Sequence, residues 1–152
     1  MSAFGTIPPE PPVIRSLDGL APKFRAALLS VFPALDAGYV SESLRTDARQ
    51  RWLYGFGREY DDDRGIVTNA PTGATGWHMF GLALDFKDAA LVAANAEKLR
   101  AAGLALGMDW PRFKDGPHVQ AGAPMRQSPS PEAAALFASG GYEAVWNAVG
   151  WA

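Results

Sequence analysis

The run Leu82, Ala83, Leu84, Asp85, Phe86 reads as a buried strand with a carboxylate inside it, and no other segment constrains the fold as strongly. An ionised carboxylate taken out of water is costly unless a cation or several hydrogen bonds meet it. The fold must therefore bring positive charge or donors to Asp85 from elsewhere in the chain. Only two histidines are available, His78 seven residues upstream and His118 in a second motif with Asp115, Gly116 and Pro117. Taken alone, either histidine reads as an ordinary satisfied core or surface residue.

Geometry ties the three together. Ligands of one zinc ion lie roughly 3–3.5 Å apart, given metal bonds of about 2.0–2.2 Å. A straight strand would separate His78 from Asp85 by about 23 Å. They can share an ion only if the chain bends between them, and Gly81 offers the bend. His118 would then arrive from a neighbouring strand. Two histidines and one aspartate leave a fourth position for water, the open arrangement of a catalytic zinc. Asp115, three residues before His118 across a Gly-Pro turn, can stand beside that water as general base.

Composition narrows the alternatives. The chain has 152 residues, 48% of them apolar and 20% charged, which suits one domain with a proper core. The 14 basic and 16 acidic side chains leave a formal charge of −2, without the excess that drives nucleic-acid or anionic-membrane binding. The absence of cysteine excludes disulfides, thiolate metal sites and thiol nucleophiles together. No apolar run approaches the ~20 residues of a membrane span. The start of the chain has neither a basic nor an apolar signal region, so no secretory signal is expected. With 16 glycines and 12 prolines, a long helical bundle is not expected.

Residues 1–15 hold four prolines and read as an extended arm, docked or loose, ahead of a catalytic domain over 16–152. A helix should follow, capped by Ser16 or Asp18, with Pro22 in its first turn, Phe24, Ala27, Leu28 and Val31 on its apolar face, and Pro33 ending it. Residues 39–44 suggest a short strand. A second helix should start at Thr46 or Asp47, present Trp52, Leu53 and Phe56, and stop at Gly57. Residues 59–77 read as a long irregular loop, its acidic run Asp61, Asp62, Asp63 a solvated tip. A helix over 89–102 with Val92, Ala96 and Leu99 inward and Gly103 as cap, a strand through His118, Val119 and Gln120, and a helix opened by Ser130 and Pro131 and broken at Gly140 and Gly141 complete the chain. Trp146 and Trp151 should bring the C-terminus back to the body. The fold class is α+β: one domain, a small, mostly antiparallel sheet with helices against it.

The motifs resemble the zinc peptidases of the D-alanyl-D-alanine carboxypeptidase and L-alanyl-D-glutamate endopeptidase family, whose fold is shared with lysostaphin-type enzymes and the hedgehog domain. His78, Gly81, Ala83 and Asp85 match the family's first motif, and Asp115, Pro117 and His118 its second. Arg45, Gln50, Leu53, Tyr54, Gly57 and Arg58 follow an upstream block of the family, and Val67, Thr68 and Ala70 resemble a segment of phage endolysins. The likeness covers about residues 38–122. It implies one zinc per chain held by His78, Asp85 and His118, Asp115 as base and then acid, and Arg45 as the cation facing the tetrahedral oxyanion.

The substrate it implies is the peptidoglycan stem peptide, cut at the L-Ala–D-Glu bond, with D-Ala-D-Ala carboxypeptidase activity or a non-catalytic zinc-bearing module as alternatives. A domain without metal would leave Asp85 unpartnered. The endolysin likeness further implies a monomer made in the host cytoplasm and reaching the wall after holin-type release, with no nucleic-acid or membrane partner. Gly76, Leu44 and Val119 depart from the family's usual serine, aromatic and phenylalanine; the serine's hydrogen bond is then either missing or supplied by Thr75. Arg49 and Arg58 read as ion-pair partners, Tyr54 as core, and Trp77 and Trp110 as either core or cleft.

Overall fold

The computed structural model describes residues 4–72, 76–123, 125–126 and 128–152, so Thr75 lies outside the described residues. Four short strands form one sheet in the order β1-β2-β4-β3, with β1 Val40–Glu42, β2 Ala83–Phe86, β3 Leu104–Leu106 and β4 His118–Ala121. Every pairing is antiparallel. With helices packed on this sheet, the class is α+β as expected. Strand alternation sorts the side chains. Leu84, Phe86, Val119 and Ala121 belong to the main core, together with Phe24 and Leu28 of α1 (Pro22–Val31), Val92 and Leu99. Asp85, His118 and Gln120 fall at the alternate positions.

The register then does something chemical. Glu42 pairs with Asp85, and Asp85 pairs with His118. Three polar residues thus stand in a row across β1, β2 and β4, Glu42 and His118 buried and Asp85 nearly so. The strand expected over 39–44 is shorter: Tyr39 ends a 3₁₀ turn (Ala37–Tyr39) whose entry is fixed by Asp36, whose carboxylate accepts the Gly38 amide at 2.8 Å.

The other differences have local causes. The first helix is entered at Ala21, not capped by Ser16 or Asp18, and Pro22 supplies the preset first turn. The Ala21 amide donates to the Gly81 carbonyl (2.9 Å) instead. Helix α2 (Asp47–Gly55) begins as expected at Thr46, whose hydroxyl accepts from the Arg49 amide at 3.2 Å. The helix expected over 89–102 is two, α3 (Ala89–Ala94) and α4 (Ala96–Ala101), separated at Asn95. The Asn95 amide nitrogen bonds back to the Leu91 carbonyl at 2.9 Å, the competition with the helix ladder that asparagine offers. The last helix, α5 (Pro131–Val149), is broken at Gly141 (φ 69°, ψ −158°), as the glycine pair predicts. Trp146 donates its indole N–H to the Phe80 carbonyl (2.6 Å) and Trp151 packs edge-on against Phe24, so the C-terminus returns to the core. None of the described helices is long and apolar enough to cross a membrane.

Gly81 is the bend that the site requires. A 3₁₀ turn, Trp77–Phe80, runs into Gly81 at φ 68° and then into β2. The Leu82 amide bonds the Trp77 carbonyl (3.2 Å) and the Gly81 amide the His78 carbonyl (3.4 Å), so the chain reverses tightly. A Cβ at position 81 would press into the Gly19 carbonyl oxygen. Gly81→Ala combines that collision with a left-handed backbone costing about 1–2 kcal/mol. We expect a loss of about 2 kcal/mol or more, a fall of roughly 4–8 °C in melting temperature by thermal denaturation. An unchanged melting temperature would contradict this account of the bend.

Candidate metal centre

His78 leaves the 3₁₀ turn, Asp85 sits on β2 and His118 begins β4. Each offers one donor atom, and the three atoms lie within 4.8 Å of one another. This is the one such cluster found among the described residues. His78 Nε2 is 3.3 Å from Asp85 Oδ2, and His118 Nδ1 is 3.0 Å from Asp85 Oδ1. Both rings are buried. The bend at Gly81 and the β2–β4 register have brought together the three residues that the sequence proposed as ligands.

The outer nitrogen of each ring is already engaged. His78 Nδ1 lies 2.8 Å from the Ser43 carbonyl oxygen, which can only accept, so Nδ1 carries the proton. In the neutral ring Nε2 is then a bare lone pair, buried and without a hydrogen-bond partner, facing a carboxylate oxygen. On the other side, the Gln120 amide nitrogen donates to the Arg126 carbonyl (2.9 Å), which turns its Oε1 toward His118 Nε2 at 2.9 Å. Nε2–H therefore donates to Gln120 and Nδ1 presents its lone pair to Asp85 Oδ1. Two imidazole lone pairs and a carboxylate converge on one point. Only a proton or a cation between them satisfies all three, and a nitrogen-nitrogen-oxygen donor set of this kind suits a zinc-type divalent ion.

Charges around the cluster follow the same logic. Burial would raise the Asp85 carboxyl, but the facing imidazoles of His78 and His118 outweigh it and hold it well below the usual carboxylate range. Burial would lower His118, but a proton taken up at Nδ1 gains a hydrogen bond and a charge interaction with Asp85, and these win and raise it. Asp115 is pushed up, first by burial and then by the Asp85 charge. Its Oδ2 is 3.9 Å from His118 Nδ1, at the rim of the cluster, and its side chain is 44% exposed. The backbone carbonyl of Asp115 accepts the His118 amide (3.1 Å), which ties the two residues through the Gly-Pro turn.

Arg45 also reaches the cluster. One guanidinium nitrogen, Nη2, lies 3.4 Å from Asp85 Oδ2 and 2.8 Å from Glu42 Oε1; Nη1 donates to Gln50 Oε1 at 2.9 Å. Its Nε is buried with no hydrogen-bond partner. Arg49 is an ion-pair residue, bridging Glu42 and Glu10. Arg58 closes the long loop by donating to the Tyr54 and Thr68 carbonyls (2.7 and 3.0 Å), with Tyr54 half-buried beneath it in cation–π contact. Trp77 is core, whereas the half-buried Trp110 lies against the His118 ring with centroids 4.8 Å apart. Val119 packs in the core, so its departure from phenylalanine is a matter of packing. The acidic tip pairs Asp62 with Arg64 in solvent.

Sequence reasoning missed Glu42, Ser43 and Gln120. Glu42 had a signal, an acid three residues before Arg45. Gln120 had one too, a large amide two residues from a proposed ligand and so on the same strand face. Ser43 acts through its main chain, which no residue type reveals.

No family model matches the chain, and no curated protein matches it significantly. Among solved structures, the L-Ala D-Glu endopeptidase ChiX of Serratia marcescens matches at 23% identity and a TM-score of 0.48, over 72% of this chain and 87% of that one.

Asp85 and His118, whose shifts arise in part from facing each other, give opposite pH dependences in the metal-free protein. Asp85, depressed when folded, contributes stability in full above its unfolded value near ~3.9 and loses it as pH falls through the folded value. His118, raised when folded, contributes in full below ~6.5 and loses its share as pH rises through the folded value. With chelator present, melting temperature should be highest between about pH 4 and 6.5 and decline toward pH 9. A flat or rising profile over the alkaline half would contradict the facing-donor geometry.

Proposed function

We propose that the chain is a zinc-dependent peptidoglycan hydrolase that cuts the L-Ala–D-Glu bond of the stem peptide. The observation that carries this reading is the convergence of His78 Nε2, Asp85 and His118 Nδ1, both rings oriented from outside, with a carboxylate, Asp115, at the rim. The motif resemblance across residues 38–122 supplies the substrate class. The phage-endolysin role, action as a monomer, and synthesis in a host cytoplasm with holin-type release belong to the same proposal and rest on that resemblance.

Zinc bound by these three residues supplies Lewis acidity and an acidified water near neutral pH. The chain's own residues do the rest. Asp115 Oδ2 takes the proton of the attacking water, a step its raised pKa favours, and returns it to the leaving amine. Arg45, 3.4 Å from Asp85, would place positive charge beside the scissile carbonyl before the oxyanion forms. Ser43 and Gln120 keep the ligand nitrogens facing inward.

Asp115→Asn keeps the shape and removes the proton acceptor. Zinc content should stay at one per chain by atomic emission, while turnover falls roughly 10²–10⁴-fold. Near wild-type turnover at neutral pH would remove Asp115 from the chemistry. For the substrate, purified sacculi should be digested and the products sequenced by mass spectrometry. New N-terminal D-Glu, with L-Ala left on the muramyl side, is the expected result. Release of terminal D-Ala alone would replace the endopeptidase reading with a carboxypeptidase on the same metal.

A further inference from the structure

From Gly5 onward the proline-rich arm lies along the body, and its far end bonds Ser43, the residue whose carbonyl meets His78. The Gly5 amide bonds the Glu59 carbonyl (2.8 Å), Ile7 packs on the aromatic cluster of Trp52, Phe56 and Tyr60, and the Trp52 indole N–H donates to the Pro8 carbonyl (2.9 Å). These contacts dock the arm. Two further sets of bonds lead from it to the ligands.

The first runs through Ser43, which is fully buried. Its amide donates to the Ile14 carbonyl at 2.7 Å, and its hydroxyl lies 2.6 Å from the Ser16 carbonyl and 3.0 Å from that of Ile14. The Ser43 carbonyl in turn accepts from His78 Nδ1. The second is an ion chain. Glu10 binds Arg49 (2.7 Å), Arg49 binds Glu42 (2.9 Å), Glu42 binds Arg45 (2.8 Å), and Arg45 reaches Asp85 (3.4 Å). Glu42, Arg45 and Arg49 expose no more than 12% of their side chains, so each charge depends on its neighbours for solvation.

We propose that residues 10–16, the end of the arm and the residue that follows it, are a positioning part of the metal centre: they hold Ser43 and the Glu42–Arg45 pair in the place from which these orient His78 and Asp85. The inference rests on the metal reading given above and extends it to a segment outside the ligand motifs. Outer partners of this kind set metal affinity, because they fix the ring that presents the lone pair and the charge on the carboxylate. Four prolines in the arm reduce the entropy lost on docking it, which favours an extended segment used as a brace.

The test is zinc affinity of the full-length protein by chelator competition, with the visible spectrum of the cobalt-substituted protein as a second readout. Glu10→Gln with Ser43→Ala removes the ion pair that starts one chain and both hydroxyl bonds of the other, leaving the Ser43 amide bond to Ile14 and every ligand in place. Zinc binding should weaken about 10-fold or more and the cobalt bands should shift. Val92→Ala, a core truncation on the buried face of α3, is the control: it lowers stability but should leave affinity and spectrum unchanged. Glu10→Gln alone, on a half-exposed side chain, keeps the question answerable should the double variant lose its fold. A threefold or greater weakening there supports the proposal. Wild-type affinity in the folded variants overturns it, as does equal weakening in Val92→Ala. A wild-type protein that binds no zinc at all would instead remove the metal reading from which the proposal starts.

Discussion

The structure turns on one carboxylate. Asp85 stands between two imidazoles and a guanidinium, in the centre of a sheet row that runs from Glu42 to His118. Left alone, a charge at this depth would cost several kcal/mol. Every unusual feature nearby serves to answer it: the left-handed turn at Gly81, the strand register, and the ring orientations imposed by Ser43 and Gln120. The rest of the core is ordinary aliphatic and aromatic packing that holds this row in place.

The arrangement also explains why the protein can use so few functional side chains. Both histidines present their inner nitrogen because the outer one is spoken for by an acceptor that has no alternative role. A main-chain carbonyl cannot donate, and the Gln120 amide is turned by the Arg126 carbonyl. Trp77 donates its indole N–H to that same Arg126 carbonyl at 2.8 Å, so the loop after β4 is pinned from two sides. Orientation by groups that cannot swap roles would keep a metal site built from these three residues rigid.

That His78, Asp85 and His118 would meet was legible in the sequence, from residue type and chain geometry together with the motif resemblance. A carboxylate in an apolar run, two scarce histidines and one glycine between them admit few arrangements. The α+β class and the glycine break in the last helix were legible for similar reasons. Strand β3 was not: three residues after Gly103 carry too little alternation to stand out from the preceding helix. The break at Asn95 was hidden by a good helical pattern on both sides of a residue that competes for the backbone. The arm read as an extended segment, docked or loose. Its contacts with Ser43 and Arg49 span 29 to 39 residues, and long-range pairing of that kind leaves no local mark.

The central claim is that His78, Asp85 and His118 hold one zinc ion through two imidazoles and a carboxylate. X-ray absorption at the zinc edge on the loaded protein measures that directly. The account predicts a first shell of nitrogen and oxygen only, at about 2.0–2.1 Å, with outer-shell scattering from two imidazole rings per zinc. One ring or none, or a six-oxygen shell, would contradict it.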